Sequence, residues 1–121
     1  RPKLQEHSSM SFEVRTTNRF ERSAKSLLKR YRSLKADLME FICSLENNPF
    51  QGTELSPGIR KIRIAIASKG RGKSGGARII TYTIEVRKNE GTVYLIDIYD
   101  KSDYSTVDVA VINKAIEDMG L

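Results

Sequence analysis

The 121-residue chain has few of the side chains that most often carry acid–base, redox or metal chemistry. Its one cysteine, Cys43, excludes an internal disulfide framework, which suits a reducing cytoplasm. Cys43 lies among Phe41, Ile42 and Leu45, a setting for a buried structural thiol rather than a nucleophile. The single histidine, His7, excludes a His-pair acid–base mechanism and a His-rich metal site by counting alone. No apolar run approaches the roughly 18 residues of a membrane span. There is no internal repeat and no low-complexity segment. Acidic residues are missing altogether from Ile59 to Tyr82.

Residues 1–9 lack the apolar stretch of a signal peptide and read as a remnant of recombinant expression, with Met10 as the natural start. They are set aside, His7 included, and residues 10–121 read as a single domain. With 39% hydrophobic and 30% charged residues, that domain has the composition of an ordinary globular protein with a real core.

The net charge of +6 is unevenly placed. Residues 1–58 carry 10 basic and 7 acidic side chains, and residues 82–121 carry 4 and 8. Residues 59–81 carry Arg60, Lys61, Arg63, Lys69, Arg71, Lys73 and Arg78 against no acid. Charge concentrated in this way makes a docking surface for a polyanion, and RNA is the expected partner.

Periodicity places the elements. Ser11–Arg15 alternates like a short strand. Phe20, Ala24, Leu27, Leu28, Tyr31 and Leu34 recur at helical spacing, with Thr17 or Asn18 as N-cap. Leu38, Phe41, Ile42 and Leu45 continue the period, with a break and a second cap at Ser33, and Asn47-Asn48-Pro49 ends it. Gln51–Gly58 reads as a loop. Ile59–Ser68 reads as a strand with Ile62, Ile64 and Ile66 on one face and Lys61, Arg63, Ala65 and Ala67 on the other. Lys69–Gly76 is a glycine-rich basic loop. Ala77–Lys88 and Thr92–Tyr99 are two further strands joined by the Asn89-Glu90-Gly91 turn, the second apolar on both faces and so central. Ser105 and Asp108 fit a capping box for a last helix that ends at Gly120. The order β-α-α-β-β-β-α predicts an α+β domain with a largely antiparallel four-stranded sheet packed with helices.

Ala67–Ser74 satisfies a loose phosphate-binding-loop pattern, and Val93–Asp97 resembles the strand that accompanies one. Such a loop needs a helix starting at its Lys-Ser end, to aim backbone N–H groups at the phosphates. Here Gly75-Gly76 and a strand follow, so no nucleotide cofactor is expected.

On the basic strand, Lys61 and Arg63 share a face and Arg78 can join them. Tyr99 and Tyr104 flank the cluster Asp100-Lys101-Ser102-Asp103, and aromatic rings can stack on unpaired bases. Tyr82 has the parity of Ile80 and Ile84 and suits a core role equally well.

The segments GIRKIRIAIASKGRGKSGGARIITY (58–82) and VYLIDIYDKSDYS (93–105) resemble the RelE/ParE superfamily of bacterial toxins, and most closely its HigB-like branch. The element order agrees from about Met10 to Leu121. The resemblance implies the toxin of a type II toxin–antitoxin module: a metal-independent, ribosome-dependent mRNA interferase of the bacterial cytoplasm, acting in the 70S ribosomal A site. The 2′-OH of the RNA would attack the adjacent phosphate while Lys and Arg side chains stabilise the developing charge. Carried over by position, the catalytic group is Lys61, Arg63, Arg78 and Lys101. Arg60, Lys69, Arg71, Lys73, Tyr99 and Tyr104 would contact RNA. A basic residue that RelE uses near its C-terminus falls on Ser102, beside Lys101. The RelE tyrosine that stacks on the substrate base falls near Asp108, so Tyr99 or Tyr104 would substitute. The general base stays open; Lys61 serves only if neighbouring cations lower its pKa. A cognate antitoxin, commonly a helix-turn-helix protein, is implied as partner, with no membrane and no cofactor. Two alternatives remain at this point: a ParE-like gyrase inhibitor, and a non-catalytic nucleic-acid-binding domain.

Overall fold

The computed structural model describes residues 11–104 and 106–121; the readings that fall on residues 1–10 and on Ser105 lie outside them. Strand β1 (Ser11–Thr16) leads into helices α1 (Asn18–Arg30) and α2 (Leu34–Asn47). Strands β2 (Thr53–Ser56) and β3 (Ile59–Ile64) follow, then a 3-10 turn (Ala67–Lys69), β4 (Ala77–Arg87), β5 (Glu90–Asp100) and helix α3 (Val109–Asp118).

Thr17 makes the entry to α1 from an extended conformation. Its hydroxyl oxygen accepts from the Phe20 amide at 3.1 Å and donates to Leu95 O at 2.9 Å, so one side chain both caps the helix and moors it to β5. Lys29 and Arg30 lie in the last turn, where the helix dipole favours cations. The break before α2 falls where the sequence places it, but Ser33 does not cap through its side chain. Its hydroxyl instead donates to the Asp37 carboxylate at 2.7 Å and meets Ser68 of the 3-10 turn at 2.9 Å. Ser33, Asp37 and Ser68 thereby pin the start of α2 to the segment that follows β3.

The five strands form one mixed sheet in the order β1-β5-β4-β3-β2. This corrects the expected four-stranded antiparallel sheet in two ways. The first strand pairs with β5 in parallel, Ser11 opposite Glu90 through Thr16 opposite Leu95, an arrangement that a long crossover allows. In addition, Thr53–Ser56 is an edge strand on β3 rather than loop. The Pro57-Gly58 turn that makes this hairpin has Gly58 at φ +80, and the Glu54 carboxylate accepts from its N–H at 3.2 Å. The expected strand Ile59–Ser68 stops at Ile64, and Ala67–Lys69 turns instead. Both faces of β5 are apolar because Val93, Leu95 and Ile98 pack with α1 and α2 on one side while Ile96 and Tyr99 pack with Ile112 of α3 on the other.

Two cores result. Phe20, Ala24 and Leu27 of α1 and Leu34, Leu38, Phe41 and Leu45 of α2 pack with Ile62, Ile64, Ile79, Val93, Leu95 and Ile98. On the opposite face Ile59, Ile80, Ile96, Tyr99 and Ile112 form a smaller cluster under α3, with Tyr82 against it. Cys43 is exposed, because the buried stripe of α2 runs through residues 34, 38, 41 and 45 and leaves position 43 outside it. The N-cap of α3 is Asp108 itself, whose carboxylate accepts from Ala110 N at 2.9 Å; the expected box had it at the third position.

Buried Gly76 precedes β4 where the chain passes against β3. A Cβ there would stand 2.0 Å from Ile64 O, a backbone atom that cannot swing aside. Gly76→Ala is therefore expected to destabilise the protein by about 1–3 kcal/mol, read from the urea midpoint. An unchanged midpoint would mean that the two strands do not approach so closely.

Candidate nucleic-acid interface

The sheet register assembles the basic residues. Arg63 lies directly opposite Arg78, and Arg78 directly opposite Tyr99, so the three form a row across β3, β4 and β5 on the sheet face that carries α3. Lys61 shares that face two residues along, opposite Ile80. Continuing the β5 alternation puts Lys101 on the same face, and its N–H donates to Gly76 O at 3.0 Å. The bond from Thr83 N–H to Gly58 O fixes the ladder phase and makes Arg63 and Arg78 a non-hydrogen-bonded pair, the closer of the two kinds.

Two like charges directly opposite cost stability unless something else compensates. Arg78 is only 5% exposed. Its guanidinium donates to Lys73 O at 2.9 Å, Ser74 O at 3.2 Å and Ala77 O at 3.3 Å. Those three bonds hold the end of the basic loop and leave two of the five guanidinium N–H groups without a bond among the described residues. Burial, and after it the charge of Arg63, push the Arg78 pKa down. Among the described residues no carboxylate lies within ion-pairing distance of Lys61, Arg63, Arg71, Lys73, Arg78 or Lys101. The row of cations therefore has no internal counter-ion among the described residues.

Tyr99 lies at the end of the row. Its hydroxyl is buried and has no hydrogen-bond partner among the described residues, and burial raises its pKa, so it stays protonated at neutral pH. Tyr104, 62% exposed, meets it edge-to-face at 5.9 Å between ring centroids. Of the two tyrosines, Tyr104 is the ring that offers itself to solvent.

Two of the basic residues point elsewhere. Arg60 has the opposite parity, donates to Phe50 O at 3.1 Å and lies over the Phe50 ring at 5.7 Å, bracing the β2 hairpin. Lys69 turns inward. Its ammonium pairs with Asp100 Oδ1 at 2.6 Å and donates to Ser102 Oγ at 2.8 Å. Arg71 and Lys73 are exposed on the loop.

Sequence reasoning missed the group that organises this region. Asp100, 1% exposed, receives Lys69, Arg30 Nη1 at 3.0 Å, the Tyr31 hydroxyl and the Ser102 amide at 2.9 Å. Burial alone would raise its pKa. The Lys69 and Tyr31 hydrogen bonds and the Ser102 N–H outweigh burial and hold the carboxyl well below the usual carboxylate range. One signal was available: an acid closing the two-sided apolar run VYLIDIYD must find cations inside the fold. Asp97, three residues earlier, follows the same logic with Ser23 at 2.6 Å and Arg19 at 3.3 Å on α1.

Among the described residues no helix is long and apolar enough to cross a membrane, and no cluster of His, Cys, Asp or Glu could hold a metal ion. No protein-family model matches the chain. Among solved structures it is similar to a double arginine-to-alanine mutant of the E. coli toxin RelE in the free state. The TM-score is 0.50 at 14% identity, covering 91% of this chain and 97% of that one. The fold is therefore RelE-like.

Asp100→Asn would leave the Lys69 ammonium buried without its counter-charge, at an expected cost of about 3–5 kcal/mol at pH 7. Because the folded carboxyl titrates below its unfolded value of about 3.9, the stabilisation is complete above that pH and is lost as the pH falls further. Urea unfolding of both proteins from pH 7 to pH 3 checks this; the gap between them is expected to narrow only below about pH 4.

Proposed function

We propose that the chain is a ribosome-dependent mRNA endoribonuclease, the toxin of a type II toxin–antitoxin pair, closest to the HigB-like branch. The observation that carries this reading is the row Arg63–Arg78–Tyr99 with Lys61 beside it: cations on two adjacent strands and a tyrosine on the third, the cations unpaired with any acid among the described residues, on a RelE-like scaffold. The first 9 residues stand apart from this reading; the domain it concerns is 10–121.

The chemistry asked of such a site is modest. The nucleophile and the scissile phosphate both belong to the RNA, so the protein must align the 2′-OH with the phosphate and stabilise charge on the phosphorane and leaving oxygen. Arg63 and Lys61 offer mobile cations. Arg78, immobilised by three backbone carbonyls, offers a pre-oriented fork with two N–H groups to spare. Lys101 approaches from the end of β5. Arg71 and Lys73 take the RNA backbone, and Tyr104, supported by Tyr99, provides a ring for a base. Lys69 and Arg60 contribute by holding the loop and the hairpin in place. Neutralisation follows from the same electrostatics: an antitoxin with acidic segments would cover the row.

Primer extension on an mRNA with and without 70S ribosomes tests this. Wild type is expected to cleave only with ribosomes, and Lys61→Ala and Arg63→Ala, both at solvent-accessible positions, to lower the rate by about 10²–10³-fold while the protein stays folded. Folded protein that never cleaves yet binds RNA with a steep salt dependence would replace the nuclease by a binding domain. Inhibition of gyrase without cleavage would replace it by a ParE-like activity.

A further inference from the structure

Beside the cationic row a cleft of about 400 Å³ separates α2 from the edge of β3. Glu40, Ser44, Gln51, Arg63, Ala65 and Lys73 line it. Its first feature is backbone. The ladder phase fixed by Thr83 and Gly58 turns the even-numbered residues of β3 toward β4, so Ile59, Lys61 and Arg63 aim their N–H and C=O groups the other way, and Ala65 follows just past the end of the strand. Ile59 and Lys61 meet β2, which ends there. Arg63 and Ala65 find no backbone partner among the described residues, and both open into the cleft.

The second feature is an excess of acceptors on the facing wall. Gln51 donates its amide hydrogens to Ser44 Oγ at 3.1 Å and Asn48 O at 2.9 Å, which leaves Oε1 as a free acceptor. The Glu40 carboxylate is exposed and makes no ion pair among the described residues. The third feature is the rim, where Arg63 and Lys73 stand ready for a phosphate.

We propose that this cleft seats an unpaired nucleobase adjoining the phosphate held by the cationic row, and that it takes a base with a ring-nitrogen acceptor beside an exocyclic amine, adenine or cytosine, in preference to uracil. The proposal rests on the RNA-cleaving reading above. A strand-edge N–H donates to the ring nitrogen, while the strand C=O, Gln51 Oε1 and Glu40 accept from the amine. Uracil would set a carbonyl oxygen against those acceptors and its ring N–H against the strand N–H, so its edge mismatches at both positions. On its Watson–Crick edge guanine presents an N–H where the strand N–H needs an acceptor, and its other ring acceptor beside an amine, N3, lies next to the sugar-bearing nitrogen.

The test titrates the ¹⁵N-labelled protein with adenosine, cytidine and uridine monophosphates and with inorganic phosphate. Amide shifts at Arg63 and Ala65 are expected with the first two, at about three- to tenfold lower concentration than with uridine monophosphate, and none there with phosphate. Glu40→Ala, a surface change, is expected to erase that preference and to relax the base preference at the cut site on a transcript carrying all four bases. Equal responses to all three nucleotides, or the same response to phosphate alone, would reduce the cleft to electrostatic attraction and overturn the proposal. Should wild type not cleave at all, the nuclease reading fails while the titration still decides the seat. Should it cleave with a preference that Glu40→Ala leaves intact and with silent Arg63 and Ala65 amides, the seat fails and the nuclease reading stands.

Discussion

The buried carboxylate of Asp100 is the constraint on which the rest of the basic face depends. Four donors from three parts of the chain converge on it: Arg30 and Tyr31 at the end of α1, Lys69 in the 3-10 turn, and Ser102 just past β5. An isolated carboxylate at such depth would be prohibitively costly, and each donor alone would leave lone pairs unsatisfied. Together they settle it, and in doing so they fix where the glycine-rich loop begins. Arg78 fixes where the loop ends, through Lys73 O and Ser74 O. The loop between is therefore a short bridge between two anchored points, despite its glycines.

The same arrangement explains how the protein tolerates a row of like charges. Arg78 and Arg63 repel across adjacent strands, yet Arg78 is surrounded by carbonyl dipoles and cannot retreat. The repulsion is held in place by the packed sheet beneath, whose Ile62, Ile79 and Ile98 occupy the opposite face of the same three strands. An anion placed across the row relieves it.

Much of the fold could be read from the sequence because it obeys local rules. Period located α1 and α2, and capping chemistry offered Thr17 or Asn18 for the start of the first, of which Thr17 is the cap; alternation on Ile62 and Ile64 marked the inward face of β3, and two-sided apolarity the central place of β5. The parallel pairing of β1 could not be read, since six residues of alternation carry no information about a partner some eighty positions away. Nor could β2, whose Thr53–Ser56 has no apolar period and exists because β3 presents an edge. The same limit applied to the site. Lys61, Arg63 and Arg78 share a face by parity, a local property. Lys69 was grouped with them by charge alone, and a side chain's direction at the end of a turn is set by what it can reach, here Asp100; Arg60, also grouped by charge, has the opposite parity on β3, which the alternation already carried. Cys43 failed for a related reason: apolar neighbours in sequence are not neighbours on a helix face.

The placement of β5 between the amino-terminal strand and β4 bears on the order in which the molecule can come into being. Ser11 waits for Glu90, and the row that begins at Arg63 closes only with Tyr99. Contacts of such sequence separation are slow to form, because the intervening chain must first give up its loop entropy. During synthesis the early helices can form while β1 has no partner and the cations are still dispersed along an extended polypeptide. The basic face is thus among the last features to be assembled as the chain leaves the ribosome.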